Sequence, residues 1–327
     1  MDFSLSDEHN ELINAVENTI NEFDDDYWLE ADKKSKFPEE FVKKIADGGW
    51  LGIAMPLKYG GSNLGVTEAA LMMMTIAKKG GMTAASSIHM NIFGPSSLVK
   101  YGTENQKDNW LPDIINGKTK MCFAVTEADT GLDTTRLKTK AVLKDDKYII
   151  NGRKLWTSTA QISDKIMILA RTSDRDKKNP TKGLSLFFTN FNKQVIEARV
   201  IDKMGRAAVD TNELFIDNLE VPKEDLIGEE GKGFSYILHS LNPERILLAA
   251  EAYGIAKNAL DRAVKYANER VVFERLIGQN QSIQHPLADG WAKLKATKLM
   301  FLNAAAKYDQ NLPCGLEANA AKYLAAE

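Results

Sequence analysis

The stretch Met121–Thr135 runs from an apolar strand into a loop of small and hydrogen-bonding residues. Phe123 and Val125 alternate with a smaller alanine, which predicts a strand, and Gly131 in the loop is able to take a positive φ. The end of such a strand offers amides and hydroxyls that suit a flat aromatic ligand with polar rims and a phosphate tail. Taken alone, a hairpin entry with an ordinary turn is the simpler explanation.

A second stretch, Lys154–Thr159, combines one large aromatic residue with three hydroxyls. Trp156 could wall an aromatic ring while the hydroxyl or amide of Ser158 reaches a ring nitrogen. Taken alone, this stretch is better explained by a tryptophan in a sheet core, with threonine and serine present for their strand propensity.

The third stretch begins at Asn242 and is followed by an almost wholly apolar helix. Asn242 as N-cap and Pro243 in the first turn would be ordinary helix-start chemistry, although Arg245 is unfavourable there. Glu244 at the mouth of an apolar helix, beside an arginine, could instead be a general base whose pKa is tuned by burial. Structural ion pairs look the same in sequence, so both explanations stay open.

Composition limits the possible classes of function. The chain has 327 residues with ordinary globular composition and a net charge of −3, so nothing indicates binding to nucleic acid or to an anionic membrane. Cys122 and Cys314 have no paired spacing, and we see no metal-ligand set. No signal peptide or membrane-length apolar run is visible, which favours a cytoplasmic protein.

The elements that must position these stretches follow the order α, β, α. We predict an N-terminal helical domain over residues 1–120, a middle antiparallel β domain over 121–232 and a C-terminal helical domain over 233–327. This is an α+β class, mainly α, and Asp145-Asp146 and Asn151-Gly152 are turn signals between the strands of the β domain. The last residues are mid-helix without a stop signal, so we expect the C-terminal bundle to be truncated.

In combination, these motifs resemble the acyl-CoA dehydrogenase family of flavoproteins, over essentially the whole chain. The resemblance rests on Thr126-Glu127 with Gly131 and Asp133, Asn151-Gly152 with Lys154-x-Trp156, Met204-Gly205, Asp210-Thr211, the run from Pro222 to Phe234, and Glu269-Arg270-x-x-Phe273 with Gln281. Three positions depart from the usual family pattern. They are Ala128, Leu132 and Glu274, where the family usually has proline, serine and glycine.

The resemblance implies FAD as cofactor, an acyl-CoA thioester as substrate and an electron-transfer flavoprotein as electron acceptor. It implies that Glu244 removes the α-proton, as in the isovaleryl-CoA and long-chain members, while the β-hydrogen leaves as hydride to the flavin. It implies a homo-oligomer, a dimer or tetramer, in which neighbouring subunits share the cofactor. The residues expected to bind FAD are Phe123, Val125, Thr126, Gly131, Trp156, Ser158, Arg270, Phe273 and Gln281.

Substrate binding is expected from Arg245, Leu241 and Ser97, since the acyl pocket would be lined by the helix that ends near Ser97 and by Leu241 to Leu248. Three alternatives remain within this fold: an enoyl-CoA reductase, an acyl-CoA oxidase, and a non-catalytic protein that binds CoA esters.

Overall fold

The computed structural model describes residues 4–327, so the first three residues of the predicted N-terminal domain lie outside the described residues. Six helices come first, then eight strands, then three helices with a small hairpin between them, which confirms the predicted α+β class. No helix in this part of the chain has the length and apolar character needed to cross a membrane. The helices are α1 (Asp7–Ile20), α2 (Asp25–Lys33), α3 (Glu39–Asp47), α4 (Val66–Phe93), α5 (Ser96–Tyr101), α6 (Glu104–Ile115), α7 (Gly233–Ala267), α8 (Gln281–Asp309) and α9 (Gly315–Ala326).

The strands form one large sheet and one separate hairpin. They are β1 (Met121–Ala124), β2 (Lys140–Lys144), β3 (Lys147–Ser158), β4 (Lys165–Arg171), β5 (Leu184–Asn190), β6 (Ile196–Val200), β7 (Thr211–Pro222), β8 (Leu226–Ile227), β9 (Val271–Val272) and β10 (Arg275–Leu276). The sheet has the order β6-β7-β3-β2-β4-β5-β8, and β1 pairs with β4.

The described residues group into two compact units. The sheet unit contains Leu29–Asn63 and Ser86–Leu241, and the helical unit contains residues 4–28, Leu64–Ala85 and Asn242–Glu327. The three domain boundaries expected from the sequence stay a prediction.

The sheet is mostly antiparallel, as predicted, with two exceptions. β1 runs parallel to β4, with Met121 opposite Lys165 and Ala124 opposite Ile168, and β2 meets β4 in parallel at its first residue. Alternate residues of β4 enter two different core clusters: Ile166 and Ile168 enter one, Met167 and Leu169 the other. Both faces of this strand are therefore buried, which explains its continuous apolar sequence.

Asn151-Gly152, which the sequence suggested as a turn, lies inside β3. The pairing of β3 with β7 slips just before Gly152, and a Cβ there would lie 2.4 Å from Thr139 Oγ1. The glycine therefore serves close backbone packing within a strand and does not mark its end. The other turn suggested there, Asp145-Asp146, does connect β2 to β3, and Asp145 has a φ of 52°.

Helix α7 begins at Gly233 and runs without interruption through Asn242 and Pro243. The helix start suggested at Asn242 is therefore wrong, since the nine preceding residues, 233 to 241, already form helix. In the helical unit, the carboxylate of Asp309 caps α4. Its oxygens accept hydrogen bonds from Val66 N at 2.7 Å and Thr67 N at 2.9 Å, and this contact joins the end of α8 to the start of α4.

The β9–β10 hairpin turns through Phe273 and Glu274, which both have positive φ, 52° and 62°. A two-residue hairpin loop with both φ positive is the I′ type, in which Asn-Gly is the usual sequence. Neither a phenylalanine nor a glutamate favours this region, so the turn is strained. The side chain of Phe273 is 95% exposed at its tip.

Replacing Glu274 with glycine should relieve this strain. We expect Glu274→Gly to raise the free energy of unfolding by about 0.5–1 kcal/mol, the left-handed penalty minus the entropy cost of glycine. Urea unfolding would measure the change, with Glu274→Ala as matched control because alanine keeps the strain. Equal stability of the two variants would contradict the interpretation of the turn.

Candidate active site

A β-bulge in β3 turns Trp156 out of the sheet. Lys154 pairs with Leu214 and Thr157 with Asn212, so two residues of β3 lie opposite one residue of β7. Trp156 has a φ of 62° and is 58% exposed. A bulky residue in this conformation costs about 1–3 kcal/mol, and bulges commonly re-aim a side chain beside a functional site. The explanation of Trp156 as a core residue is therefore wrong.

The chain that continues from β1 lies directly beside this bulge. Leu155 N donates a hydrogen bond to Thr126 O at 2.8 Å, and Lys154 Nζ donates to Val125 O at 2.9 Å. The side chains of Val125 and Thr126 are half-buried. The backbone next to the exposed indole thus lies beside the backbone of Val125 and Thr126, and an aromatic surface near an apolar side chain and a hydroxyl suits a flat aromatic ring with polar rims.

Phe123 and Ser158 lie on the same two strands. The ring of Phe123 packs edge to face on Phe93 with centroids 5.2 Å apart, and Ser158 pairs with Thr211 across β3 and β7. The structure therefore brings five of the expected cofactor residues onto two neighbouring strand ends. Gly131 has no positive φ, contrary to the expectation, and the next residue, Leu132, is fully exposed at the tip of the loop.

A buried ion pair underlies this site. Lys154 is 0% exposed, and its Nζ lies 3.1 Å from Oε1 of Glu127. The Glu127 carboxylate also accepts hydrogen bonds from Thr139 N at 2.9 Å, Thr139 Oγ1 at 2.6 Å and Lys138 N at 2.6 Å. Four donors therefore satisfy one carboxylate, as a buried charge requires.

These contacts set the protonation states of the pair. Burial on its own raises the pKa of Glu127, but the positive charge of Lys154 and the hydrogen bonds from Thr139 and Lys138 outweigh it, and the pKa is lowered. Burial lowers the pKa of the Lys154 ammonium, and the Glu127 carboxylate offsets part of that effect. Both groups are therefore ionised at neutral pH.

The pair was not among the site residues predicted from the sequence, although a signal existed. Along β3, Tyr148 and Ile150 are buried, and the alternation of the strand puts Lys154 on the same face. A lysine facing inward must have an anionic or carbonyl partner, and the nearest candidate in the motifs is Glu127. Within residues 4–327, no group of three or more His, Cys, Asp or Glu side chains could hold a metal ion.

Ser97 is fully buried, and its hydroxyl is already engaged within the sheet unit. Ser97 Oγ lies 2.6 Å from Ser240 Oγ and donates to Tyr236 O at 2.8 Å. These contacts join the first turn of α5 to α7. Leu241, the residue after Ser240 on α7, is half-buried. A role for either residue in substrate binding stays a prediction.

The remaining expected residues lie in the helical unit. Glu244 and Arg245 are half-buried on α7, where Arg245 Nη1 donates to Asn242 Oδ1 at 3.2 Å. Arg270, Phe273 and Gln281 are exposed around the β9–β10 hairpin and the start of α8. Their side chains are open to a ligand or to a second chain.

Three family models match the chain one after another. The N-terminal domain of acyl-CoA dehydrogenase matches residues 6–118, the middle domain residues 122–219 and the C-terminal domain residues 231–327. The chain belongs to the acyl-CoA dehydrogenase family. It is accordingly an oxidoreductase of a family that acts on acyl-CoA.

Three similar proteins illustrate the range of this acyl-CoA dehydrogenase family. A 3-(aryl)acrylate reductase of Clostridium sporogenes is 38% identical over 91% of this chain and 78% of its own length. The CarC subunit of the caffeyl-CoA reductase–Etf complex of Acetobacterium woodii is 34% identical with the same coverage. The structure of a glutaryl-coenzyme A dehydrogenase in complex with glutaryl-CoA matches with a TM-score of 0.93 and 33% identity, over 99% of this chain and 83% of that one.

The buried pair predicts a pH-dependent stability. Because the folded-state pKa of Glu127 is lowered from 4.5, its contribution is present above that value and is lost as the pH falls through the folded-state pKa. Glu127→Gln should therefore lower the unfolding free energy by about 3–5 kcal/mol at pH 7, and the gap to the wild type should narrow below pH 4.5.

Denaturant unfolding at several pH values from about pH 3 to pH 7 measures the difference in unfolding free energy between variant and wild type. This range extends about one pH unit or more on each side of 4.5. Glu220→Gln is the matched control, since Glu220 lies exposed on β7 and should change stability much less. A gap for Glu127→Gln that did not depend on pH would contradict the assignment of Glu127 as an ionised buried group.

Proposed function

We propose that the protein catalyses the FAD-dependent α,β-dehydrogenation of an acyl-CoA thioester to a trans-2-enoyl-CoA. The observation that carries this proposal is the strained bulge that exposes the indole of Trp156 beside the Val125–Thr126 edge. Strain of this size persists where the surrounding structure enforces it, and it is concentrated at ligand sites.

FAD is the cofactor of this acyl-CoA dehydrogenase family member. The residues of the sheet unit fit its isoalloxazine ring, because Trp156 offers a flat apolar surface while Thr126 and Ser158 offer hydroxyls at neighbouring strand ends. When bound, the flavin accepts the β-hydrogen of the substrate as hydride. Arg270, Phe273 and Gln281 would hold FAD in a homo-oligomer, and their exposure is consistent with contact to a neighbouring subunit.

Glu244 is the proposed general base. Its carboxylate would take the α-proton of the thioester, and a partly buried carboxylate suits this task because burial favours proton uptake. Arg245, held by Asn242 at 3.2 Å, is the proposed charged neighbour of the substrate, with Leu241 and Ser97 as lining residues. The thioester carbonyl must be polarised by hydrogen-bond donors as the α-proton leaves.

Reduction of a 2-enoyl-CoA is a second candidate, since the same groups would then act in reverse. The relatives from Clostridium sporogenes and Acetobacterium woodii are both named as reductases, and this observation favours it. The Etf complex of the second relative also supports an electron-transfer flavoprotein as the electron partner. A cytoplasmic location remains part of the proposal.

Glu244→Gln tests the base. We expect wild-type protein loaded with FAD to lose its flavin absorbance when mixed anaerobically with a suitable saturated acyl-CoA. Loss of the base should slow this bleaching by about 10²–10⁴-fold, while Glu220→Gln on the exposed face of β7 should bleach at the wild-type rate. Equal rates for wild type and Glu244→Gln would contradict the assignment.

The direction of the reaction is tested with the same proteins. Oxidised enzyme would be mixed with a panel of saturated acyl-CoAs, and photoreduced enzyme with the matching 2-enoyl-CoAs. Bleaching of the oxidised enzyme supports the dehydrogenase. Reoxidation by enoyl-CoA, without bleaching by any saturated acyl-CoA, overturns it in favour of the reductase. Rapid reoxidation of the bleached flavin by oxygen would identify an oxidase. Binding of acyl-CoA without any bleaching or reoxidation of the flavin would identify a non-catalytic binding protein.

A further inference from the structure

We propose that Glu127 and Lys154 are positioning residues that hold the Trp156 bulge and the Val125–Thr126 edge in the geometry required by the cofactor. The proposal rests on the proposed function for the identity of that cofactor. Neither side chain is among the residues expected to contact FAD, and Lys154 is 0% exposed. Their effect must therefore pass through the backbone segments that they bind.

Hydrogen bonds from two consecutive residues of β3 hold the bulge against Val125 and Thr126, the residues that directly follow β1. Lys154 Nζ donates to Val125 O at 2.9 Å, and Leu155 N donates to Thr126 O at 2.8 Å. Lys154 immediately precedes the two bulged residues, so its ammonium group anchors the bulge at its first residue. The position of the Lys154 ammonium group therefore sets the distance between the Trp156 indole and the Thr126 hydroxyl.

Glu127 also fixes the position of the Lys154 ammonium group, because its Oε1 lies 3.1 Å from Nζ. The carboxylate is itself fixed by three hydrogen bonds from the backbone and side chain of Lys138 and Thr139, at the start of β2. Thr139 O in turn accepts from Arg171 N at 2.8 Å, and Arg171 Nη2 donates to Thr135 O at 2.7 Å. The loop that follows β1 is thus tied at both of its ends to the sheet.

The use of charges at this position supports a positioning role. An apolar pair of similar volume would often be equally stable, because desolvation of two charges offsets their attraction. Apolar side chains, however, would make no directional hydrogen bonds to the carbonyl of Val125 or to the amides of Lys138 and Thr139. Those hydrogen bonds define where the three backbone segments lie. Lys147 on β3 and Glu220 on β7 provide the contrast. Lys147 Nζ lies 2.7 Å from Glu220 Oε2, but the two side chains are 57% and 61% exposed. In the described part of the chain, neither side chain has a hydrogen bond to a backbone group.

The test compares two double variants. Glu127→Gln/Lys154→Met removes both buried charges together and leaves neither one unpaired, and Lys147→Met/Glu220→Gln is the matched exposed control. In FAD-free protein, acrylamide quenching of Trp156 fluorescence reports the position of the indole, taken as the difference from the same variants carrying Trp156→Phe. In loaded protein, the dissociation constant of FAD and the visible spectrum of the bound flavin report the cofactor geometry.

For the buried double variant, we expect altered Trp156 quenching, a shifted flavin spectrum and FAD affinity lower by about 10–100-fold, the usual effect of losing a supporting partner. The control should match the wild type in all three. A buried variant with wild-type circular dichroism, quenching, FAD affinity and spectrum would overturn the proposal, whatever its melting temperature.

If the double variant fails to fold, Thr139→Val replaces it. This variant keeps both charges and removes only the 2.6 Å hydrogen bond that Thr139 Oγ1 donates to Glu127 Oε1. A shifted flavin spectrum in the folded variant supports the proposal, and an unchanged spectrum with unchanged Trp156 quenching overturns it. Wild-type protein that bound no FAD would count against the proposed function alone, because the quenching measurement on FAD-free protein still tests the pair.

Discussion

The sheet unit depends on one buried ion pair, Glu127 with Lys154. A lysine with no exposed surface is tolerated only if its charge and its donors are satisfied, and here a carboxylate and a main-chain carbonyl do both. The carboxylate needs its own donors, and the amides of Lys138 and Thr139 supply them. The requirement to satisfy one charge therefore determines how three segments of backbone meet, and one of these segments carries the exposed indole of Trp156.

Trp156 and the Phe273–Glu274 turn both hold large side chains in the left-handed region, and they differ in their support. Trp156 lies in the middle of a sheet, between strands that fix it by main-chain hydrogen bonds. Phe273 and Glu274 form the tip of a two-stranded hairpin whose residues are exposed. Strain in the first case is maintained by the fold of the sheet unit itself. In the second, a local relaxation is available to the hairpin, so a contact from outside it would be needed to hold Phe273 in place.

The sequence predicted the broad fold well because its signals are periodic and local. The alternation that predicts the strand at Phe123 and Val125 and the apolar run after Pro243 both depend on near neighbours in the chain. The errors share a cause as well. Asn151-Gly152 and Asn242-Pro243 have the local chemistry of a turn and of a helix start, and tertiary packing overrides both. The outward turn of Trp156 was not predictable, because a bulge is defined by the register of two strands that are distant in sequence.

Family membership and the residues at the site constrain the chemistry more than its direction. A carboxylate that removes an α-proton in dehydrogenation returns it in reduction, so the proposed base, Glu244, would serve both reactions. The favoured direction then depends on the free-energy difference between the flavin and its electron partner, which the surroundings of the ring adjust by charge, hydrogen bonding and exposure. In the proposed site those surroundings would be Trp156, Thr126 and Ser158, and the proposed role of the buried pair is to place the first two. Under these two proposals, residues that never touch the substrate would contribute to the direction of the reaction, through the positions that they impose on the residues that do.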